Sequence, residues 1–203
     1  MKKIVFICSH QYSGSNILYE ALDKHPRIQG FKGINSGTYS SGSQLLTLTQ
    51  NDHKLKNRSA IYMDEILYNY QISSKDIYKY CKFIYVLRKP EIPISYLIAN
   101  DKKKPSFAML YYKFRVRRLC EMAKRTPGAV FLTYEQLCDG QGMDLIKEYL
   151  DLPNDIDFNP RQMERVNRGF GTDLLGLNHR LEVERTYERY LYFLKNQSLR
   201  RLP

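Results

Sequence analysis

The sequence predicts an α/β protein, a central parallel sheet of about four to five strands flanked by helices, in a single domain spanning residues 1–203. Three observations predict it. Short apolar or β-branched runs recur along the chain, each bounded by polar turns, and helix-like patterns separate them. The runs are continuous rather than alternating, as in strands covered on both faces. With 203 residues the chain is long enough to bury one sizeable core.

The first strand is "KIVFIC" from Lys3, which stops at the small-residue turn "SHQYSGSN". A helix follows at once from Ser15 to Lys24 and ends at "HPRIQG". "GINSGTYSSGS" from Gly33 is the one low-complexity stretch and reads as a mobile surface loop. The second strand is "SAIYM" from Ser59. A helix begins near Ser74, with Ser73 or Ser74 as its N-cap, and closes before the third strand, "KFIYVL" from Lys82.

A long helix then runs from about Pro105 to Arg125. Met109, Tyr112, Val116, Leu119 and Ala123 form its apolar stripe, and "TPG" ends it. Its "KFRVRR" run from Lys113 reads as a solvated face. The fourth strand is "AVFLT" from Ala129, and a helix spans roughly Met143 to Leu150. The last helix, after His179, places Val183, Tyr187, Tyr190, Leu191 and Leu194 on one face.

Lys and Arg number 32 against 21 Asp and Glu, a net charge of +11. The chain is therefore expected to meet an anion: a nucleotide, an acidic glycan or peptide, nucleic acid, or a membrane surface. No recognised nucleic-acid motif is present, no apolar run approaches a membrane span, and no signal peptide opens the chain, so a cytoplasmic protein is expected. Cys8, Cys81, Cys120 and Cys138 are scattered and suit reduced, mostly buried thiols. His10, His25, His53 and His179 are as dispersed, and no metal site is expected.

In open parallel sheets, ligands sit beyond the carboxyl ends of the strands. The residues there are "SHQYSGSN", then Asp64 and Glu65, then Arg88 and Lys89, then Tyr134 and Glu135. A small-residue loop opening a helix can hold an anion on backbone N–H groups. The loop lacks the leading Gly and the Lys of G-x-x-x-x-G-K-[ST]. Together the strand ends offer an anion cradle, a carboxylate pair, a fixed cation and an aromatic ring, the inventory for an anionic nucleotide plus proton transfer.

In order along the chain, these segments resemble the sulfotransferases that use 3′-phosphoadenosine-5′-phosphosulfate (PAPS). "YSGSNILYEALDKHPRI" resembles the family's 5′-phosphosulfate loop and first helix. "KFIYVLRKPEIPISYL" resembles the strand, loop and helix that grip the 3′-phosphate. "AVFLTYEQL" with "MDLIKEYLDLP" is similar to the R/T-Y-E-D-L segment and its following helix, and "NRGFGTD" from Asn167 to the R-K-G-x-x-G phosphate loop.

The resemblance implies a P-loop-NTPase-like fold and PAPS as co-substrate. It implies that the loop Tyr12, Ser13, Gly14, Ser15 and Asn16 holds the 5′-phosphosulfate, through N–H groups from Ser13 to Asn16 and the hydroxyls of Ser13 and Ser15. Arg88 and Ser95 would take the 3′-phosphate, Arg168 and Gly169 would close the other side, and Tyr134 would lie near the adenine.

Three departures from the pattern bear on catalysis. Tyr12 stands where the family has Lys or Arg. Arg88 and Ser95 are one residue closer than usual, so Tyr96 is an alternative to Ser95. The Glu that some members carry after His-Pro is missing from "GFKGIN". The general base is left between Asp64 and Glu65, with His10 third, and the substitute cation is expected to be Lys32, with Lys89 next. The activity implied is sulfuryl transfer to a hydroxyl or amine, and the net charge points to an acidic glycan or peptide as acceptor. The alternatives are a degenerate binder of PAPS or its desulfated product, a nucleotide kinase, and a nucleic-acid-binding module. A kinase is disfavoured by the absent Lys and by the lack of an acidic strand end of the kind that accompanies a phosphate loop.

Overall fold

The structure, a computed structural model, describes residues 3–30, 38–51, 61–152 and 177–199. In chain order the elements are β1 (Lys3–Cys8), α1 (Ser15–Asp23), β2 (Ile28–Gly30), α2 (Gly42–Asn51), β3 (Ile61–Ile66), α3 (Ile77–Tyr80) and β4 (Cys81–Leu87). There follow α4 (Glu91–Ala99), α5 (Pro105–Ala123), β5 (Val130–Thr133), α6 (Tyr134–Cys138), α7 (Gln141–Leu150) and α8 (Leu177–Leu199). The strands form one five-stranded sheet in the order β2-β3-β1-β4-β5, every pair parallel.

Side chains alternate across a strand, so β1 feeds two cores. Ile4, Phe6 and Cys8 face one side with Tyr62, Phe83 and Tyr85, where Tyr112, Val116 and Leu119 of α5 and Val183 and Tyr187 of α8 cover them. Val5 and Ile7 face the other side with Ile61, Met63, Ile84 and Val86, beneath Leu18 and Leu22 of α1 and Ile146 of α7. Each fully buried large apolar side chain stabilises by about 1.5–3 kcal/mol relative to exposure. The expected α5 stripe is buried throughout, from Met109 through Tyr112, Val116 and Leu119 to Ala123.

Several elements differ from the sequence reading. The second strand continues through Asp64 and Glu65 to Ile66, so both carboxylates belong to the strand rather than following it. The helix expected from Ser74 is the single turn Ile77–Tyr80, and its N-cap is Asp76. Ser74 instead bonds the Asp76 carboxylate, which also accepts from the Gly42 N–H at 2.8 Å. Part of the stretch read as a mobile loop is anchored. Tyr39 is fully buried, its N–H donates to Gln71 O at 2.7 Å, and α2 begins at Gly42.

Pattern alone gave no β2, α4 or α6. β2 has three residues, too few for a period. In α4, Pro90 is the N-cap and Pro93 lies in the first turn, where an N–H has no intrahelical partner and proline costs little. All four cysteines are free thiols; Cys8 and Cys120 are buried, and burial pushes both up to about 12. Among the described residues, no helix is long and apolar enough to cross a membrane.

Candidate functional site

The loop after β1 is held in shape from three directions. Tyr12 and Gly14 both adopt left-handed backbone, φ 61° and 87°. A side chain at φ 87° is strained, which suits glycine to the cap of α1. The Ser13 N–H donates back to His10 O at 3.2 Å. That N–H is therefore spent inside the loop, a correction to its expected place among the anion donors. Gly14 and Asn16 stand at the start of α1, where N–H groups lack intrahelical acceptors and the helix dipole is positive.

The loop hydroxyls form a chain that ends on a carboxylate. Ser9 Oγ lies 2.6 Å from Ser15 Oγ, Ser13 Oγ donates to Ser15 Oγ at 3.0 Å, and Ser15 Oγ donates to Glu65 Oε1. Asp64 takes no part in it. Its carboxylate accepts from the Tyr39 hydroxyl and from the Glu65 N–H. Consecutive strand residues point to opposite faces, so Glu65 lies with α1 and Asp64 with Tyr39 in the α5-side core. The two carboxylates expected as a pair are separated by the sheet.

His10 is fully buried. Its Nε2 accepts from the Arg88 backbone N–H at 3.1 Å, which leaves the proton on Nδ1, 3.0 Å from Gln11 O. Burial lowers its pKa to about 4. A neutral ring with both nitrogens engaged ties the end of β1 to the end of β4.

Arg88 closes that end of the sheet. It is 1% exposed, its guanidinium lies 3.7 Å from the centre of the Tyr134 ring, and its Nη1 donates to Tyr12 O at 3.1 Å. Burial draws the guanidinium below its ordinary pKa. Tyr134 opens α6 behind a capping box, in which Thr133 Oγ1 accepts from the Gln136 N–H and Gln136 returns the bond to the Thr133 N–H. Sequence reading placed Arg88, Tyr134 and the Ser13–Ser15 loop at one edge, and they do meet.

Ser95 and Tyr12 behave otherwise. Ser95 Oγ donates to Glu91 O at 2.6 Å, a bond within α4. Tyr12 turns its hydroxyl to Asp101 Oδ1 at 2.7 Å, and its ring stacks on Tyr96, centroids 5.1 Å apart. Burial and that bond push the Tyr12 phenol up to about 12, so it is a neutral donor committed to a carboxylate. Lys89 is exposed at the strand end. Lys32, Arg168 and Gly169 lie outside the described residues.

Arg115 is a structural residue that the sequence reading does not find, since "KFRVRR" reads as the solvated face of its helix. Arg115 is 1% exposed and donates to Ser9 O at 2.8 Å, Asn69 Oδ1 at 2.9 Å and Ile66 O at 2.5 Å, bracing the ends of β1 and β3. The signal was present: position 115 sits between Tyr112 and Leu119 on the buried stripe. Gln11 also went unread. Its N–H donates to Tyr111 Oη at 3.0 Å and its amide to Tyr68 Oη at 2.6 Å.

No family model matches the chain, and no curated protein matches it in sequence. Among solved structures it is similar to a sulfotransferase from Alicyclobacillus acidocaldarius, at 13% identity over 97% of this chain and 95% of that one, with a TM-score of 0.58. It is similar also to the sulfotransferase domain of the Synechococcus PCC 7002 olefin synthase, at 16% identity, 92% and 94% coverage and a TM-score of 0.56. For the sulfotransferase domain from the curacin biosynthetic pathway the figures are 16%, 89%, 82% and 0.51. At these identities the likeness is one of fold. The five-stranded parallel sheet with its flanking helices defines an α/β architecture, and within that class the chain has the sulfotransferase fold.

Proposed function

We propose that the protein is a PAPS-dependent sulfotransferase that moves a sulfuryl group to a hydroxyl or amine. The observation that carries the reading is the convergence of the Ser13–Ser15 loop, Arg88 and Tyr134 at the carboxyl ends of β1, β4 and β5. The donor set fits an anionic nucleotide. The first turn of α1 offers N–H groups to the 5′-phosphosulfate, with Gly14 and Asn16 in place. Arg88 offers a planar fork to the 3′-phosphate, and Tyr134, whose ring lies against the Arg88 guanidinium, is placed near the adenine in this reading. The Ser95 hydroxyl, engaged with Glu91 O, must rotate to join them, and Tyr96 on the Tyr12 ring is the neighbouring alternative. Arg168 and Gly169 complete the nucleotide site in this reading.

PAPS supplies the sulfuryl group, and the chain's own part is to hold, orient and move a proton. Of the two carboxylates, Glu65 is the better general base, because it already accepts a hydrogen bond from the Ser15 hydroxyl at the loop while Asp64 is turned through the sheet to Tyr39. His10 is set aside because its Nε2 lone pair is occupied by the Arg88 N–H. Lys32 is proposed as the substitute cation for the leaving oxygen, with Lys89 next.

Titration with the desulfated 3′,5′-bisphosphate nucleotide, ATP and an oligonucleotide in parallel tests the binding half. Tight binding of the first alone, followed by sulfuryl transfer over an acceptor panel that includes acidic glycans and peptides, is the expected result. Equal binding of ATP, or binding of the oligonucleotide instead, would overturn it. The degenerate-binder reading has its own support in Tyr12, whose hydroxyl is bound to Asp101 where a cation would otherwise reach the loop; nucleotide binding without transfer is its signature. Contrary to the expectation that no acidic strand end accompanies the loop, Glu65 at the end of β3, beside β1, accepts from the loop hydroxyl of Ser15. The absent loop Lys remains against a nucleotide kinase.

A further inference from the structure

The outward side of α5 carries three large apolar residues, Phe107, Leu110 and Phe114, 53%, 51% and 55% exposed. Their spacing of three and four residues lays them in one line along the helix. A single exposed apolar residue is ordinary, but a contiguous line of three large ones marks a contact surface.

The line is framed by positive charge. Lys102, Lys103 and Lys104 are exposed just before it, and Lys103 Nζ lies 5.7 Å from the Phe107 ring. Beyond Phe114 come Arg117 and Arg118, then the exposed Lys124 and Arg125. The helix contains one acidic residue, Glu121, which Arg117 and Arg118 share at 3.3 and 3.8 Å. Among the described residues, no carboxylate forms an ion pair with Lys102, Lys103 or Lys104.

We propose that this face docks on the surface of an anionic lipid bilayer. Phe107, Leu110 and Phe114 enter the boundary between headgroups and acyl chains, and the lysines and arginines meet the anionic headgroups. Charge selects the occupant. A second copy of the chain would set the same cations against one another. An acidic peptide would be gripped better in a groove, and the one that Arg117, Glu121 and Lys124 line with Arg189 and Tyr190 of α8 lies toward the C-terminal end of α5. The line from Phe107 to Phe114 instead stands on the convex outer side of the helix and suits a flat, deformable surface. The face starts beside the candidate site, since Asp101, next to Lys102, holds the Tyr12 hydroxyl and Tyr111 of α5 accepts from the Gln11 N–H. The proposal does not depend on the reaction.

Flotation of the full chain with vesicles tests it. Binding is expected to vesicles of phosphatidylcholine mixed with phosphatidylserine, to weaken with salt, and to be absent with phosphatidylcholine alone. The double variant Phe107→Ser, Phe114→Ser should cut binding roughly tenfold or more. Each of Lys102→Gln, Lys103→Gln and Lys104→Gln should cut it roughly fivefold. Lys24→Gln with Lys79→Gln, exposed cations on other elements, should leave it within about twofold.

The chain has no tryptophan, so Phe114→Trp is a single reporter whose emission should shift to the blue on anionic vesicles. Vesicle binding that ignores the serine substitutions, or that falls equally with the Lys24 and Lys79 changes, would reduce the effect to net charge and overturn the proposal. So would no binding, or no spectral shift. Retention on a polyglutamate matrix that depends on Phe107 and Phe114, with vesicles failing, would assign the face to an acidic protein.

Discussion

Arg88 is at once a ligand candidate and part of the scaffold. Its Nη1 holds the Tyr12 carbonyl and its plane lies on Tyr134, so both the loop and α6 are fixed by the group proposed to meet the 3′-phosphate. Arg88→Ala should weaken the 3′,5′-bisphosphate nucleotide by roughly 1.5–3 kcal/mol more than its analogue lacking the 3′-phosphate. Arg88→Lys, which keeps the charge but loses the fork and the stack, should recover only part of that difference. Calorimetry on both nucleotides checks it, and equal losses would remove Arg88 from the 3′-phosphate site.

Glu65 makes the opposite test. Its carboxylate lies behind the Ser15 hydroxyl, so negative charge stands close to the proposed anion site. Glu65→Gln can still accept from Ser15, and removing the charge should tighten nucleotide binding, by on the order of 1 kcal/mol. As the proposed base it should also slow turnover by about 10²–10⁴. Asp64→Asn, across the sheet, should change neither by much. Full activity in the Glu65 variant would move the base elsewhere.

In α5, one helix performs two separable tasks. Its inner side carries Arg115, whose three bonds bind the ends of β1 and β3 together. Arg115→Leu takes the guanidinium donor from the buried Ser9 carbonyl and leaves the Ile66 carbonyl with the Ser9 N–H alone, at about 1–3 kcal/mol for each bond lost. Urea unfolding should show a loss of about 3–5 kcal/mol through a lower midpoint at unchanged slope, while the exposed Phe107 and Phe114 variants stay near wild type. The capping box of α6 is the smaller counterpart. Thr133→Ala should cost about 1 kcal/mol and, by loosening Tyr134 beneath Arg88, weaken nucleotide binding as well. Stability loss with unchanged affinity would show that the stack does not position Arg88.

The molecule as a whole should be acid-sensitive through His10. Its folded pKa is about 4 against an ordinary value of 6.5, so the unfolded chain binds the extra proton between those values. The neutral ring's contribution is complete above about pH 6.5 and is lost as pH falls through about 4. The shift corresponds to roughly 3 kcal/mol. Unfolding curves at several pH values should show stability falling over that window, and His10→Gln should flatten the dependence. An unchanged profile in the variant would assign the acid sensitivity to other groups.

What the sequence determined by itself is what local pattern encodes. Continuous apolar runs gave four of the five strands, the 3.6-residue period gave the buried stripe of α5, and a small-residue turn between strand and helix marked the loop. The parallel order of those strands then brought Arg88, Tyr134 and the loop to one edge. The tertiary structure alone decided what depends on partners distant in sequence. The pleat sends Asp64 and Glu65 to opposite faces, Arg115 is buried because the ends of β1 and β3 present carbonyls to it, and Tyr39 is pulled from a polar stretch into the core beside Phe6. The physical reason is common to all three. A residue's type fixes which bonds it can make, but only the packing of β1, β3 and α5 fixes which groups lie within reach and whether water competes for them.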